Sequence, residues 1–272
     1  MNIEGILLKM VSEHAVPVEY HLPVGGQLVY MNDLIGKKID VQYLNEIHCI
    51  KCGRLTKTSF AQGYCYPCFT SAPETSECVL RPELCRAHEG ISRDMTWSEE
   101  HCLQEHIVYL AITSGLKVGV TRISQVPTRW IDQGAVEVIR LAKTPNRYTA
   151  GIMEVALKEF INDKTNWRNM ITGKITGDID LIQEKGRIEE MIPSDLRDFI
   201  DDDDEVIHIK YPAPHYPEKV KSLILDKTST FSSILRGIKG QYLIFDNDTV
   251  FNIRNHSGYL VRILFKLFWQ VK

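Results

Sequence analysis

Cys49-Ile50-Lys51-Cys52 and Cys65-Tyr66-Pro67-Cys68 are two Cys-x-x-Cys knuckles separated by twelve residues, and no other feature of the 272-residue sequence restricts its folding as tightly. Four thiolates at this spacing close one tetrahedral site, with the Lys-, Thr- and Phe-containing stretch between them folded as a hairpin of zinc-ribbon type. Gly53 follows the first knuckle and lets the backbone turn its amides towards the sulfurs. A dithiol redox pair and plain burial of reduced cysteines are the competing readings. In a reducing compartment thiols stay available to metal. Four of them leave no open position for water, so the Zn2+ expected at Cys49, Cys52, Cys65 and Cys68 is structural.

A second group follows within 25 residues: Cys78, Cys85, His88, His101 and Cys102. Cys78, Cys85, His88 and Cys102 are the expected ligands of a second closed zinc site, with His101 competing for the fourth position. The alternative is buried cysteines that pack as small hydrophobes beside surface histidines.

The rest of the composition is that of a globular protein, with 44% hydrophobic and 25% charged residues, which excludes wholesale disorder. The most apolar tail, Leu260 to Val271, is interrupted by Arg262 and Lys266, and Met1-Asn2-Ile3-Glu4 lacks the basic start of a signal peptide. The expectation is a cytoplasmic chain with no membrane span. Net charge is −3 but uneven: residues 106–177 carry ten Lys/Arg against five Asp/Glu, and residues 178–205 carry three against twelve. A basic module beside an acidic one fits a locally positive, phosphate-binding surface.

That basic module has a readable order of elements. Ile107 to Ile112 and Leu116 to Arg122 are β-rich runs across the turn Thr113-Ser114-Gly115, which makes a hairpin. A short helix at Pro127 to Gln133, a third β-rich run at Val136 to Leu141 and a helix from about Tyr148 to Asn162 follow. In the last helix, Ile152, Val155, Ala156 and Phe160 fall on one face.

Val-Tyr in the first strand and Lys-Val-Gly-x-Thr in the second, within the order β-β-α-β-α, resemble the GIY-YIG nuclease superfamily. The resemblance implies catalytic roles for Tyr109, Lys117, Gly119, Arg129 and Glu154: Tyr109 matches the first-strand tyrosine, Gly119 the second-motif glycine, Arg129 the following arginine and Glu154 the metal-binding glutamate. Lys117 stands where the second-motif tyrosine would be, as in branches whose motif reads Lys-Ile-Gly, and the gap from Gly119 to Arg129 is about two residues longer than usual. Such a site implies Mg2+ or Mn2+ on Glu154, a phosphate held by Arg129 and water positioned by Tyr109. Asn166 or Asn169 would supply the asparagine that some members use near the metal. Lys117, Arg122, Arg129 and Arg147 are the expected contacts to a DNA or RNA backbone.

Outside this module the sequence reads as β structure at both ends. Runs at Gly5 to Val11, Val18 to Leu22, Leu28 to Met31 and Lys38 to Leu44 are set off by Gly25-Gly26 and Gly36, and Gln241 to Phe245, Thr249 to Ile253 and Tyr259 to Leu264 form a meander. Each end alone leaves strand edges exposed, so the two are expected to pack into one β domain. Between them, a helix from Asp178 to about Ile192 leads to Asp201-Asp202-Asp203-Asp204-Glu205, expected to be a solvated turn or linker. Arg254, Asn255, His256 and Tyr259 cluster at one turn, where a phosphate contact competes with a hydrogen-bonded turn.

The predicted fold class is therefore α+β: a GIY-YIG-like core, an inserted zinc-ribbon-type segment and a mainly β domain from the two termini. Its segments are residues 1–48, N-terminal β; 49–105, Cys/His-rich; 106–175, GIY-YIG-like; 176–218, helix and acidic, proline-containing linker; and 219–272, C-terminal meander. Taken whole, the chain also resembles a bacterial family catalogued as domain of unknown function 2797, on the two knuckles, Arg81-Pro82-Glu83-Leu84-Cys85, His106-Ile107-Val108-Tyr109-Leu110-Ala111 and Gly237-Ile238-Lys239-Gly240-Gln241-Tyr242-Leu243. The functional expectation is a zinc-stabilised, metal-dependent nuclease. A zinc-containing module that binds nucleic acid without cutting it is the alternative, and a protein-interaction scaffold is the third reading.

Overall fold

The computed structural model describes residues 2–265, so Met1 and residues 266–272 of the expected C-terminal meander lie outside the described residues. The fold is mixed α+β with strand outweighing helix. It divides into two compact units, Met1–Phe69 with Lys210–Lys272, and Thr70–Ile209.

In the first unit the central strand is Lys38–His48, where Ile39, Val41 and Tyr43 are buried in alternation with more exposed polar residues. That period of two is what a sheet with one covered face requires. Tyr259–Phe265 pairs with one edge of this strand and Thr230–Lys239 with the other, both antiparallel. Asn2–Ile6 then pairs with Tyr259–Phe265, from Asn2 opposite Leu264 to Ile6 opposite Leu260, so strands from the two ends of the sequence are neighbours in one sheet. A second sheet, Val11–Glu13, Glu19–Val24 and Gln27–Tyr30, contributes Leu22, Val24, Val29 and Met31 to an interior shared with Ile39, Val41, Leu243, Phe251 and Ile263. Burial of each such side chain contributes roughly 1.5–3 kcal/mol. The sheets approach closely where Gly5 meets Gly25: a Cβ on Gly5 would lie 2.2 Å from the Gly25 Cα, and Gly25 has a φ of +58°.

A cationic side chain sits deep in this unit. Lys239 is 1% exposed, with its Nζ 5.4 Å and 4.9 Å from the ring centroids of Tyr211 and Tyr216. Burial lowers its pKa to about 8. The unfolded chain then binds more protons than the native chain between about pH 8 and the ordinary lysine value, so stability rises with pH across that window, by an amount on the order of 3 kcal/mol. Lys239→Met should flatten that rise and stabilise the protein at pH 7. Denaturant midpoints measured from pH 7 to 11 check this, and parallel curves for the two proteins would refute it.

In the second unit the sheet order is Ile207–His208, Glu137–Thr144, His106–Ile112, Leu116–Arg122, all antiparallel. Every residue of His106–Ile112 is buried. Asn146 caps the helix Arg147–Leu157, its side chain accepting from the Thr149 N–H at 2.9 Å. The buried stripe of this helix is Ala150, Met153, Glu154 and Leu157, and its apolar members pack on Val108, Leu110, Val118 and Ile139. The apolar face read from the sequence is not the one that packs on the sheet: Val155 and Phe160 are exposed, and Ile152 is only partly buried. Phe160 also lies beyond the last turn, since the helix ends at Leu157.

Leu181–Glu189, capped by Asp180, adds Leu181 and Ile188 to the same core. The acidic run is not simply a solvated linker. Lys185, 2% exposed, donates from Nζ to Asp201 O (2.5 Å), Asp203 O (2.9 Å) and Asp204 Oδ1 (2.8 Å), so the run wraps a buried ammonium. Charge-assisted bonds to carbonyls and carboxylate offset the cost of burying it.

Candidate active site and metal centres

The hairpin register places Tyr109 directly opposite Gly119. A Cβ on residue 119 would lie 2.6 Å from Tyr109 Oη and 2.7 Å from Cζ, so the tyrosine ring crosses a space that only glycine leaves free. The ring is 1% exposed and meets Trp130 edge-on at 5.8 Å. Gln133 joins the neighbouring groups: its Nε2 donates to Tyr109 Oη, its Oε1 accepts from Lys117 Nζ at 2.6 Å, and Nε2 lies 3.3 Å from Arg129 O. The Arg129 charge opposes the effect of burial on the Tyr109 phenol. Glu154 pairs with Lys158 at 3.4 Å, and Lys158 with Asp163 at 3.3 Å.

Electrostatics tie these residues into one group. Burial, then the nearby Arg129 charge, lowers the Lys117 pKa to about 8, opposed by Glu154 and Asp163. Burial raises the Glu154 pKa, opposed by Lys158 and Lys117, and burial raises that of Tyr109 against Arg129. Tyr109, Gly119 and Lys117 are thus joined on the hairpin through Gln133, and the charges of Arg129 and Glu154 act on Lys117. Gln133, bonded to Tyr109 and Lys117, and Lys158, paired with Glu154 and Asp163, carry no motif that sequence alone assigns to the site. The signal at Gln133 is its spacing, four residues after Arg129 and one helical turn on. Asn166 spends its side-chain oxygen on the N–H groups of Arg168 and Asn169, as the cap of a short helix.

The four expected phosphate contacts do not form one open surface. Lys117 is 6% and Arg147 8% exposed, whereas Arg122 and Arg129 are half-buried. Arg147 donates to Cys78 O (3.4 Å), Cys78 Sγ (3.8 Å) and His101 O (3.1 Å), which directs its charge at the second cysteine cluster. In the C-terminal turn His256 is buried between Asn252 O and the Leu225 N–H and Tyr259 donates to Asp226, whereas Arg254 is half-buried and Asn255 exposed.

The four knuckle sulfurs lie within 4.8 Å of one another. Cys49 follows the strand Lys38–His48, and the chain turns back through Gly53, at φ +71°, whose N–H donates to Cys49 O at 2.8 Å. Leu55–Thr56 then pairs with Ile47–His48, and Cys68 lies in the helix Tyr66–Ser71. Burial pushes the Cys49 thiol up, but the N–H groups of Cys65, Cys52 and Lys51 outweigh it and bring the pKa to about 6. Amides aimed at sulfur favour a thiolate, and four sulfurs at this separation fit one Zn2+.

Cys78, Cys85 and Cys102 form a second group within 4.8 Å. Bonds from Cys102 and Cys85, with the Arg147 charge, hold Cys78 far below the ordinary thiol value. His88 is not in this group. Its ring stacks on Tyr148 at 4.3 Å with Nε2 3.8 Å from Glu89 Oε1. His101 is also outside it, stacked on Trp97 at 4.1 Å with Nδ1 2.9 Å from Trp97 O. The expected four-ligand set is thus reduced to three sulfurs.

Both cysteine groups and the Tyr109 cluster lie inside residues 36–261, which match the model of a family described as protein of unknown function (DUF2797). The chain belongs to that family. No curated protein and no solved structure matches it.

In this DUF2797 chain the two kinds of donor set suit different ions. Thiolates in groups of four and three suit a soft ion such as Zn2+. Glu154 and Asp163 are hard oxygen donors, each paired with Lys158. No helix among the described residues is long and apolar enough to cross a membrane.

Proposed function

We propose that this chain processes nucleic acid through a metal-dependent phosphodiesterase centre of the GIY-YIG kind, with zinc-thiolate sites stabilising the fold around it. The observation that carries the reading is Tyr109 lying across Gly119 with Gln133 bonded to both Tyr109 and Lys117, on elements in the order β-β-α-β-α, and the charges of Arg129 and Glu154 acting on Lys117 support it. Glu154 would hold Mg2+ or Mn2+, which when bound polarises the phosphate. Arg129 holds the phosphate charge. Lys117, whose pKa of about 8 leaves a fraction of neutral amine near neutral pH, would in that form take the proton of the attacking water in the place of the second tyrosine, and Gln133 holds its Nζ near Tyr109 Oη.

A groove of about 870 Å3 supports a nucleic-acid substrate. Phe160, Trp167, Arg168, Lys164 and Arg187 line it, and so does Asn162, whose carbonyl accepts from the Val118 N–H at 2.9 Å, one residue from both Lys117 and Gly119. Aromatic rings beside cations are the chemistry on which unpaired bases stack. A second reading, binding without cleavage, is favoured by Lys158, which occupies one oxygen of Glu154 at 3.4 Å.

Both readings require phosphate binding. A labelled oligonucleotide titrated at increasing salt should bind less tightly, and Arg129→Ala should flatten the slope of log affinity against log salt by about one. Arg147→Gln should leave the slope unchanged, because that guanidinium faces sulfur. Binding indifferent to ionic strength, or none, would favour a protein-interaction scaffold.

A further inference from the structure

The cluster Cys78, Cys85 and Cys102 differs from the knuckle cluster in having three sulfurs, a buried cation and a cavity beside it. A cavity of about 370 Å3 is lined by all three cysteines together with Trp97, Ser98 and Arg86. Its size admits several waters or a small organic molecule. The nearby histidines that would close a fourth corner are held elsewhere, His88 against Tyr148 and His101 against Trp97. Among the described residues, no other histidine, cysteine or carboxylate joins the three sulfurs within 4.8 Å.

Charge supports a metal here. Three thiolates and one divalent cation leave a net charge of about −1 on a site whose Cys85 and Cys102 are 3% and 1% exposed. Arg147, itself 8% exposed, donates to Cys78 Sγ and to backbone carbonyls of Cys78 and His101. A buried guanidinium is otherwise costly, and an anionic metal-thiolate centre is the partner that compensates it.

We propose that Cys78, Cys85 and Cys102 hold a second soft divalent cation as a three-thiolate site, with Arg147 as its counter-charge and a fourth position open to the cavity for water or a small thiol. The knuckle site is closed by four sulfurs. This one exchanges ligand.

Full-length protein loaded anaerobically with Co2+ tests it. Two cobalt ions per chain are expected, and added 2-mercaptoethanol should change the ligand-field absorption of one of them. Cys85→Ser should remove the responding ion and keep the other. His88→Ala and His101→Ala should retain both ions and the thiol response, and these two variants decide the matter even where Cys85→Ser does not fold. Arg147→Gln should weaken the responding site at least tenfold relative to Arg147→Lys in competition with a chelator. A single cobalt per chain, a spectrum unmoved by thiol, loss of the response in either histidine variant, or equal affinity in the two Arg147 variants would overturn the proposal.

Discussion

Removing zinc from the knuckle site should lower the melting temperature of the first unit by more than ten degrees, and Cys52→Ser should reproduce the loss. Cys52 is exposed, so exchanging its sulfur for oxygen removes no packed side chain and by itself costs about 1 kcal/mol or less. Any larger effect belongs to the metal. Structural zinc in small domains contributes about 10–16 kcal/mol of folding free energy. The first unit has its own apolar interior and would keep part of its stability, so a loss of several kcal/mol is expected, at about 2–4 °C per kcal/mol for a protein of this size. The loss concentrates at one end of the central strand, because Cys49 directly follows His48, and Ile50 and Gly53 make their turn bonds around the site. Without metal, the amides directed at Cys49 would favour a charged thiolate beside three other sulfurs with no cation to balance it. Scanning calorimetry of reduced protein with and without chelator measures the effect, and added Zn2+ should restore the stripped wild type but not Cys52→Ser. Folded, reduced protein with less than one zinc per chain would overturn the assignment.

The features that were legible in the sequence are those set by neighbours along the chain. The knuckles, the hairpin turn at Ser114-Gly115 and the order of elements from His106 to Leu157 depend on spacing and local patterning. Features set by distant parts of the chain were not legible. Thr230–Lys239 carries a weak strand signal because Ser232, Ser233 and Gly237 are poor strand formers, and its strand state comes from pairing with Lys38–Gln42 and Tyr242–Phe245. The helix Arg147–Leu157 presents apolar residues on two sides, and the sheet decides which side is buried. Arg147 looks in sequence like any basic residue at a helix start. Only the fold brings Cys78, 69 residues away, to its guanidinium. The sequence shows Lys117 in the place of a tyrosine, but its burial and its bond to Gln133 depend on packing against the short helix Thr128–Asp132.

On the proposed phosphodiesterase reading, Glu154→Gln should abolish cleavage and leave binding nearly intact. Purified wild type with Mg2+ or Mn2+ is expected to cut single- or double-stranded substrate. The glutamine keeps the shape of a side chain that is 8% exposed but removes the charge that would hold the metal, so the rate should fall by a factor of roughly 10²–10³ or more. Arg129→Ala should cost both affinity and rate, because its charge meets the phosphate before and during the transition state. Lys158 supplies the decisive control. Its ammonium pairs with Glu154 and Asp163, and a metal on Glu154 would displace it. If wild type cleaves, the displacement is readily made and Lys158→Gln should change metal affinity more than the saturated rate. If wild type and Glu154→Gln show the same residual cleavage but Lys158→Gln gains a metal-dependent activity, the ion pair is a lock on a centre that binds nucleic acid without cutting it. If neither wild type nor Lys158→Gln cleaves while salt-sensitive binding persists, Tyr109, Lys117, Arg129 and Glu154 serve phosphate recognition alone.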